Sequence, residues 1–191
     1  GLELIEAHHL FGLDYDALEV VGIGGPRMQA AGCRILYPQE QLAVMGRVEV
    51  AGRYFQLRGI RRRLARHFLR TRPDVFVGID SPDFNLGLEE ILRKGGVRTA
   101  HYVGPSVWAW RSGRIRQIRR AADLVLVLFP FESGIYRQNG VACEFVGHAL
   151  ADRIGLDHDK RPARDRLGIA GTGPLVALMP GSRQSELERM W

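Results

Sequence analysis

The stretch Val75-Phe76-Val77-Gly78-Ile79-Asp80-Ser81-Pro82-Asp83-Phe84-Asn85 opens as a continuous apolar run and breaks into a polar turn around Pro82. A run of this kind suits a strand buried on both faces of a parallel sheet. About one strand–helix unit later, His101-Tyr102-Val103-Gly104-Pro105-Ser106-Val107-Trp108-Ala109-Trp110-Arg111 repeats the pattern. In an open parallel sheet, ligands bind outside the carboxyl ends of the strands. Chemistry is therefore expected at these two turns, one carrying Asp80 and the other Trp108 and Trp110.

Working outward, apolar runs that read as strands lie at Leu18–Gly24, Arg98–Val103, Leu124–Leu128, Glu144–Val146 and Leu175–Met179. Between them, Arg27–Ala31, Phe84–Lys94, Gly113–Ala121, Phe131–Asn139 and Pro162–Leu167 read as helices, as do Leu2–Phe11 and a segment opening after Ser182 or Ser185. The clearest helix is Arg53–Arg70, where Tyr54, Leu57, Ile60, Leu64 and Phe68 form one stripe at spacings of three and four. Pro73 ends it. Strands alternating with helices predict βαβ units, hence an α/β chain with a Rossmann-like parallel sheet and helices on both faces. Asp157–Pro174 is polar, charged and carries Gly and Pro, so it reads as a domain junction. Residues 1–160 then form one Rossmann-like domain, and residues 161–191 form a linker and the opening of a second.

Composition fits a folded globular chain: 191 residues, 46% hydrophobic and 25% charged. No segment approaches the roughly 18 consecutive apolar residues of a membrane span. The first ten residues lack a signal-peptide pattern. The chain opens without Met and closes on Met190-Trp191 inside a helical pattern, so it reads as a piece cut at both ends. Cys33 and Cys143 stand far apart with no His at ligand spacing, so no metal site is expected, only two small thiols. The net charge is +6, and Arg supplies 25 of the 27 basic residues. Arg53–Arg72 holds eight Arg and no acid, and Arg111–Arg120 holds five Arg and no acid. Such tracts either meet phosphate groups or form solvated helix faces.

Several residues have the types that chemistry needs. Asp80 ends a buried strand, and Pro82 biases Ser81 to an extended conformation. A carboxylate desolvated there serves as a general base, or else it caps the turn. Asp83 is the better cap for the following helix. Gly181-Ser182-Arg183 follows a strand and precedes a helix, an arrangement that favours an anion and lets Arg183 grip phosphate. It lacks the spacing and the Lys of a P-loop. Gly22-Ile23-Gly24-Gly25 lacks the third glycine of a dinucleotide fingerprint. His148, after Gly147, touches a ligand or makes a structural hydrogen bond. Trp108 and Trp110 wall a pocket or cover the sheet end. Leu42–Phe55, with Met45, Val48, Val50 and Tyr54 beside the Arg-rich helix, is an interfacial patch for acyl chains or a stripe packed into the core.

At this point a resemblance enters. Val21-Gly22-Ile23-Gly24-Gly25-Pro26-Arg27-Met28, Leu42-Ala43-Val44-Met45-Gly46, the Asp80 block, the Trp108/Trp110 block, Pro130-Phe131-Glu132 and Leu178-Met179-Pro180-Gly181-Ser182-Arg183 resemble the lipid-A-disaccharide synthase family in order and spacing. The resemblance implies the N-terminal half of a two-domain GT-B glycosyltransferase, with the family's first strand and glycine loop expected before Gly1. It implies transfer from UDP-2,3-diacylglucosamine to 2,3-diacylglucosamine 1-phosphate with inversion, giving lipid A disaccharide 1-phosphate and UDP, without metal or other cofactor. On the matching positions, Asp80 takes the acceptor hydroxyl proton and Arg183 contacts the donor diphosphate. Ser182, Asn85, Trp108 and His148 join the substrate contacts. Met45, Val48, Val50, Tyr54 and Arg58 face lipid at the cytoplasmic face of a Gram-negative inner membrane, with the protein peripheral to it. The chain by itself is expected to be inactive.

Three other readings compete: a different GT-B transferase of lipid-linked amino sugars, a basic nucleic-acid-binding module, and a structural or regulatory fragment. The Trp108/Trp110 block argues against the first. The Arg tracts lack interleaved exposed aromatics, which argues against the second.

Overall fold

The computed structural model describes residues 18–39, 50–107, 113–155, 159–171 and 173–179, with the backbone alone for residues 50–54. Two compact units divide the chain, residues 1–149 and 150–191.

The first unit opens with β1 (Val21–Gly24), α1 (Pro26–Ala30) and β2 (Arg34–Pro38). It continues with α2 (Val50–Thr71), β3 (Phe76–Ile79), α3 (Pro82–Lys94), β4 (Thr99–Tyr102), α4 (Arg114–Ala121), β5 (Leu124–Val127), α5 (Pro130–Gln138) and β6 (Cys143–Phe145). β1 pairs in parallel with β2, and β3-β4-β5-β6 form a second all-parallel sheet in sequence order. Parallel sheets flanked by helices are the Rossmann-like α/β arrangement the sequence predicts.

Each helix forms for a readable reason. In α2, Ile60, Leu64 and Phe68 are buried along one stripe, and the helix stops before Pro73 with Arg72 in a left-handed conformation (φ 52°). α3 lies between α2 and α4 and buries two sides. Phe84, Leu88 and Leu92 join the stripe of α2 in one core, while Leu86 joins Ile118, Val125, Val127 and Tyr136 in another. Each fully buried leucine of this helix contributes about 2 kcal/mol by leaving water. Gly96 (φ 84°) terminates α3: its N–H bonds Arg93 O, and Val97 N–H bonds Leu92 O while the Val97 side chain is buried. This hydrogen-bond pair is a left-handed helix stop that a residue with a Cβ enters only with strain.

Several sequence expectations need correction. The strand expected at Val75–Ile79 is Phe76–Ile79; Val75 is exposed, and only Gly78 is fully buried. β3 is the edge of its sheet, so its second edge has no strand partner among the described residues. The first strand starts at Val21 rather than Leu18, and α2 begins at Val50 rather than Arg53. β2 was not expected at all. Cys33-Arg34-Ile35-Leu36-Tyr37 shows no clean alternation, and pairing with β1 makes it a strand.

α6 (Ala149–Arg153), which begins on the last residue of the first unit, was not expected, while α7 (Lys160–Arg166) of the second unit falls close to the helix expected at Pro162–Leu167. The Asp159 carboxylate accepts the Arg161 N–H at 2.9 Å and caps α7. The strand expected at Leu175–Met179 does not form; these residues pair with nothing among the described residues, and Leu178 is 89% exposed. An apolar run becomes a strand only beside a strand that takes its backbone hydrogen bonds. The expectations on Leu2–Phe11, on Leu42–Arg47 and on the segment after Met179 lie outside the described residues.

Candidate functional site

The site is built on the turn between β3 and α3. Asp80 leaves the strand with its N–H bonded to Tyr102 O of β4 at 2.9 Å. Asp80 (φ 49°) and Ser81 (φ 42°) are then successive non-glycine residues in the left-handed region. Each costs about 1–2 kcal/mol relative to an ordinary conformation. Ser81 is therefore not extended as expected. Pro82 excludes right-handed backbone before it, and α3 starts at once, so the chain reverses through left-handed residues instead.

One residue holds this turn. Asn85 Nδ2 donates to Ile79 O at 3.1 Å and to Asp80 O at 2.8 Å, and the Asn85 backbone N–H donates to Ser81 O at 3.0 Å. Three successive carbonyls thus converge on Asn85. Two carbonyl acceptors require the NH2 side of the amide, which fixes its orientation.

Asp83 is not the cap. Ser81 takes that position without a side-chain bond, and Asp83 sits in the first turn of α3. There Arg61 of α2 donates to Asp83 O at 2.8 Å, and Arg114 of α4 pairs with the Asp83 carboxylate. The Arg61 guanidinium also lies 5.2 Å from the Phe84 ring centroid. Part of the Arg-rich pattern therefore clamps the start of α3. Sequence reading missed this, because the partners stand 22 and 31 positions away.

Asp80 is exposed rather than buried at the strand end. Among the described residues its side chain makes no hydrogen bond or ion pair. Asp80, Ser81 and Asn85 lie at one end of a space of about 700 Å³ that runs along the facing lengths of β1 and β3 over Leu64, Phe68 and Leu88. Gly22, Ile23 and Gly24 border the same space as the Asp80 turn, a convergence that spacing alone does not reveal.

Beneath the turn, Gly78 lets the buried Glu89 side chain of α3 reach His101 Nδ1 of β4 at 2.7 Å. His101, read as structural, is fully buried. The turn after β4 is held similarly: Val103 N–H and Gly104 N–H both bond Leu126 O, and the buried Tyr136 hydroxyl donates to Pro105 O at 2.6 Å. Burial, reinforced by the nearby Glu132, pushes the Tyr136 hydroxyl well above its ordinary range, so it stays a donor.

His148 is exposed and follows β6. β3 and β6 are three strand spacings apart, so their carboxyl ends stand roughly 14 Å from each other on one edge of the parallel sheet. Arg58 is exposed on α2. Val50 and Tyr54 lie on the backbone of α2, and their side chains are outside the description, as are Met45, Val48, Trp108, Ser182 and Arg183 altogether. Among the described residues no group of three or more His, Cys, Asp and Glu is arranged to hold a metal ion, and no helix is long and apolar enough to cross a membrane.

Comparison with known proteins adds to this geometry. A family model described as lipid-A-disaccharide synthetase matches residues 3–191. The chain is 53% identical over 173 residues to the lipid-A-disaccharide synthase of Pseudomonas aeruginosa strain UCBPP-PA14, covering 91% of this chain and 46% of that protein. It is 56% identical over 173 residues to the synthase of Chromobacterium violaceum, covering 91% and 45%. Against the synthase of Klebsiella pneumoniae strain 342 it is 55% identical over 170 residues, covering 89% and 44%. The chain spans a little under half the length of these curated relatives. With a family model matched over residues 3–191, the chain belongs to the lipid-A-disaccharide synthetase family.

Proposed function

We propose that the intact protein is an inverting glycosyltransferase of lipid A biosynthesis. It transfers diacylglucosamine from UDP-2,3-diacylglucosamine to the 6-hydroxyl of 2,3-diacylglucosamine 1-phosphate, giving the β-1,6-linked disaccharide 1-phosphate and UDP. Asp80 carries this reading: it is an exposed carboxylate at the carboxyl end of β3, set on a turn held against its own backbone preference. Strain of this kind persists where the surrounding structure over-determines it, and it clusters at active sites.

In the reaction, Asp80 accepts the proton of the acceptor hydroxyl as that oxygen attacks the anomeric carbon. The bond to the UDP oxygen breaks on the opposite face, and the configuration inverts. Arg183 and Ser182 meet the diphosphate, where a planar guanidinium suits paired phosphate oxygens. Trp108 and His148 contact the sugars. Residues 1–160 form the acceptor side, and residues 161–191 lead into the nucleotide-sugar domain. Met45, Val48, Val50, Tyr54 and Arg58 face acyl chains and phosphate at the cytoplasmic surface of the inner membrane. Residues 1–191 alone have no transferase activity, because they span a little under half the length of the synthases they match.

The test is product analysis. The intact protein, given both lipids without added metal, is expected to form the β-linked disaccharide and one UDP per linkage, and residues 1–191 are expected to form neither. Absence of disaccharide from the intact protein, or an α linkage, overturns the proposal.

A further inference from the structure

We infer that Asn85 is a positioning residue that aims Asp80 at the acceptor hydroxyl. The inference rests on the reading of Asp80 as the base and adds a residue that acts through it. Asn85 stands in the first turns of α3, and helical side chains tilt toward the helix N-terminus. Its amide therefore reaches back over the turn it follows. There it grips Ile79 O and Asp80 O while its backbone N–H takes Ser81 O, at 3.1, 2.8 and 3.0 Å.

The need for such a grip is set by the backbone. Asp80 and Ser81 both hold positive φ, at 49° and 42°. Two successive left-handed residues without glycine relax unless something opposes them. The Ser81 side chain makes no capping bond, so the side-chain hold on the Ile79 and Asp80 carbonyls comes from Asn85. Asn85 is itself fixed. It lies half-buried on α3, whose buried Glu89, one turn along, is anchored on His101. The chain of support runs from the buried Glu89–His101 pair through α3 to Asn85, and from Asn85 to the backbone that carries Asp80. Both amide hydrogens of Asn85 are spent on the protein, so its Nδ2 is not a donor to substrate.

The test is a double-mutant cycle in the intact enzyme, with kcat and KM measured for Asn85→Ala, Asp80→Asn and the pair. Displacement of a reacting group by about 1 Å is enough for a roughly 100-fold loss. Asn85→Ala is accordingly expected to lower kcat about 100-fold with KM changed by no more than a few-fold. In the Asp80→Asn background the same change is expected to cost nothing further, because residues that act as a unit are not additive. Asn85→Ser, with one donor on a shorter side chain, falls between, and it decides the matter if Asn85→Ala does not fold.

An unchanged kcat in Asn85→Ala overturns the inference and leaves Asp80 as the base. So does a raised KM with kcat intact, which marks a substrate contact. So does an equal loss in the Asp80→Asn background, which marks a role independent of Asp80. Retained turnover in Asp80→Asn alone removes the reading of the base, and the inference with it.

Discussion

Glu89 and His101 meet at 2.7 Å between Glu89 Oε1 and His101 Nδ1 with neither side chain exposed, and the space they share exists because residue 78 is glycine. A Cβ at position 78 would overlap the Glu89 carboxyl and crowd Asn85 Cβ. The glycine is thus required by close approach across the sheet face and not by its own dihedral angles.

Gly78→Ala must push Glu89 off His101 and strand two buried polar groups. Overpacking together with an unmade buried hydrogen bond costs about 3 kcal/mol. The thermal midpoint should drop by roughly 6–12 °C in a chain of this size. A midpoint within about a degree of the parent's would show that Glu89 has room to move.

Tyr136 ties α5 to the turn after β4 through Pro105 O. Tyr136→Phe keeps the ring in its fully buried position and leaves that carbonyl without its donor. The expected loss is about 1–2 kcal/mol in a denaturant titration, with the slope of the transition unchanged. A larger loss accompanied by a changed slope would mean that the ring had moved.

Asp123 links β4, β5 and α3. Its carboxylate accepts from Thr99 N–H at 2.9 Å and from Arg93 Nε at 2.6 Å. Burial alone would raise its pKa, but the Thr99 and Arg93 hydrogen bonds and the Arg93 charge outweigh burial and hold it below its ordinary value of 3.8. A carboxyl depressed on folding contributes stability that is fully present above its ordinary pKa and is lost as pH falls through the folded one. Stability should therefore decline as pH drops below about 4, and the decline should be shallower in Asp123→Asn. The side chain is 43% exposed, so the difference stays under about 1 kcal/mol. Parallel acid titrations of the two proteins would refute the linkage.

Cys33 and Cys143 are buried and unpaired, and burial pushes both thiols above their ordinary range. The folded chain should react slowly with a thiol reagent at pH 8, and both thiols should react promptly on unfolding in denaturant. Prompt reaction of one thiol in the folded chain would show that its segment opens locally.

Much of the fold is written in local pattern. The stripe of α2, the helix-stopping Gly96 and the β-rich run at Leu124–Val127 each carry their own signal. β2 carries too little, because its strand character comes from pairing with β1. Leu175–Met179 has the composition of a strand and no partner among the described residues. Composition names the residues a sheet would accept; a neighbouring edge decides whether they join one.

The candidate site divides the same way. The turn holding Asp80 is legible because an apolar run ending at Asp80-Ser81-Pro82 marks the carboxyl end of a strand. The way the turn is held is not. The left-handed pair at Asp80 and Ser81 and the grip of Asn85 are local but follow no propensity pattern, while the clamp of Arg61 and Arg114 on Asp83 arises from α2, α3 and α4 converging on one point. No spacing rule connects residues that meet only after two helices have packed.

The most direct measurement is turnover of the intact enzyme with Asp80→Asn, a substitution that keeps size and hydrogen-bonding reach and removes the proton acceptor. Loss of a positioned general base is worth about 100- to 10,000-fold, so kcat should fall into that range while both lipid substrates still bind. Turnover at the parent's rate would contradict the assignment of Asp80 as the group that takes the acceptor's proton.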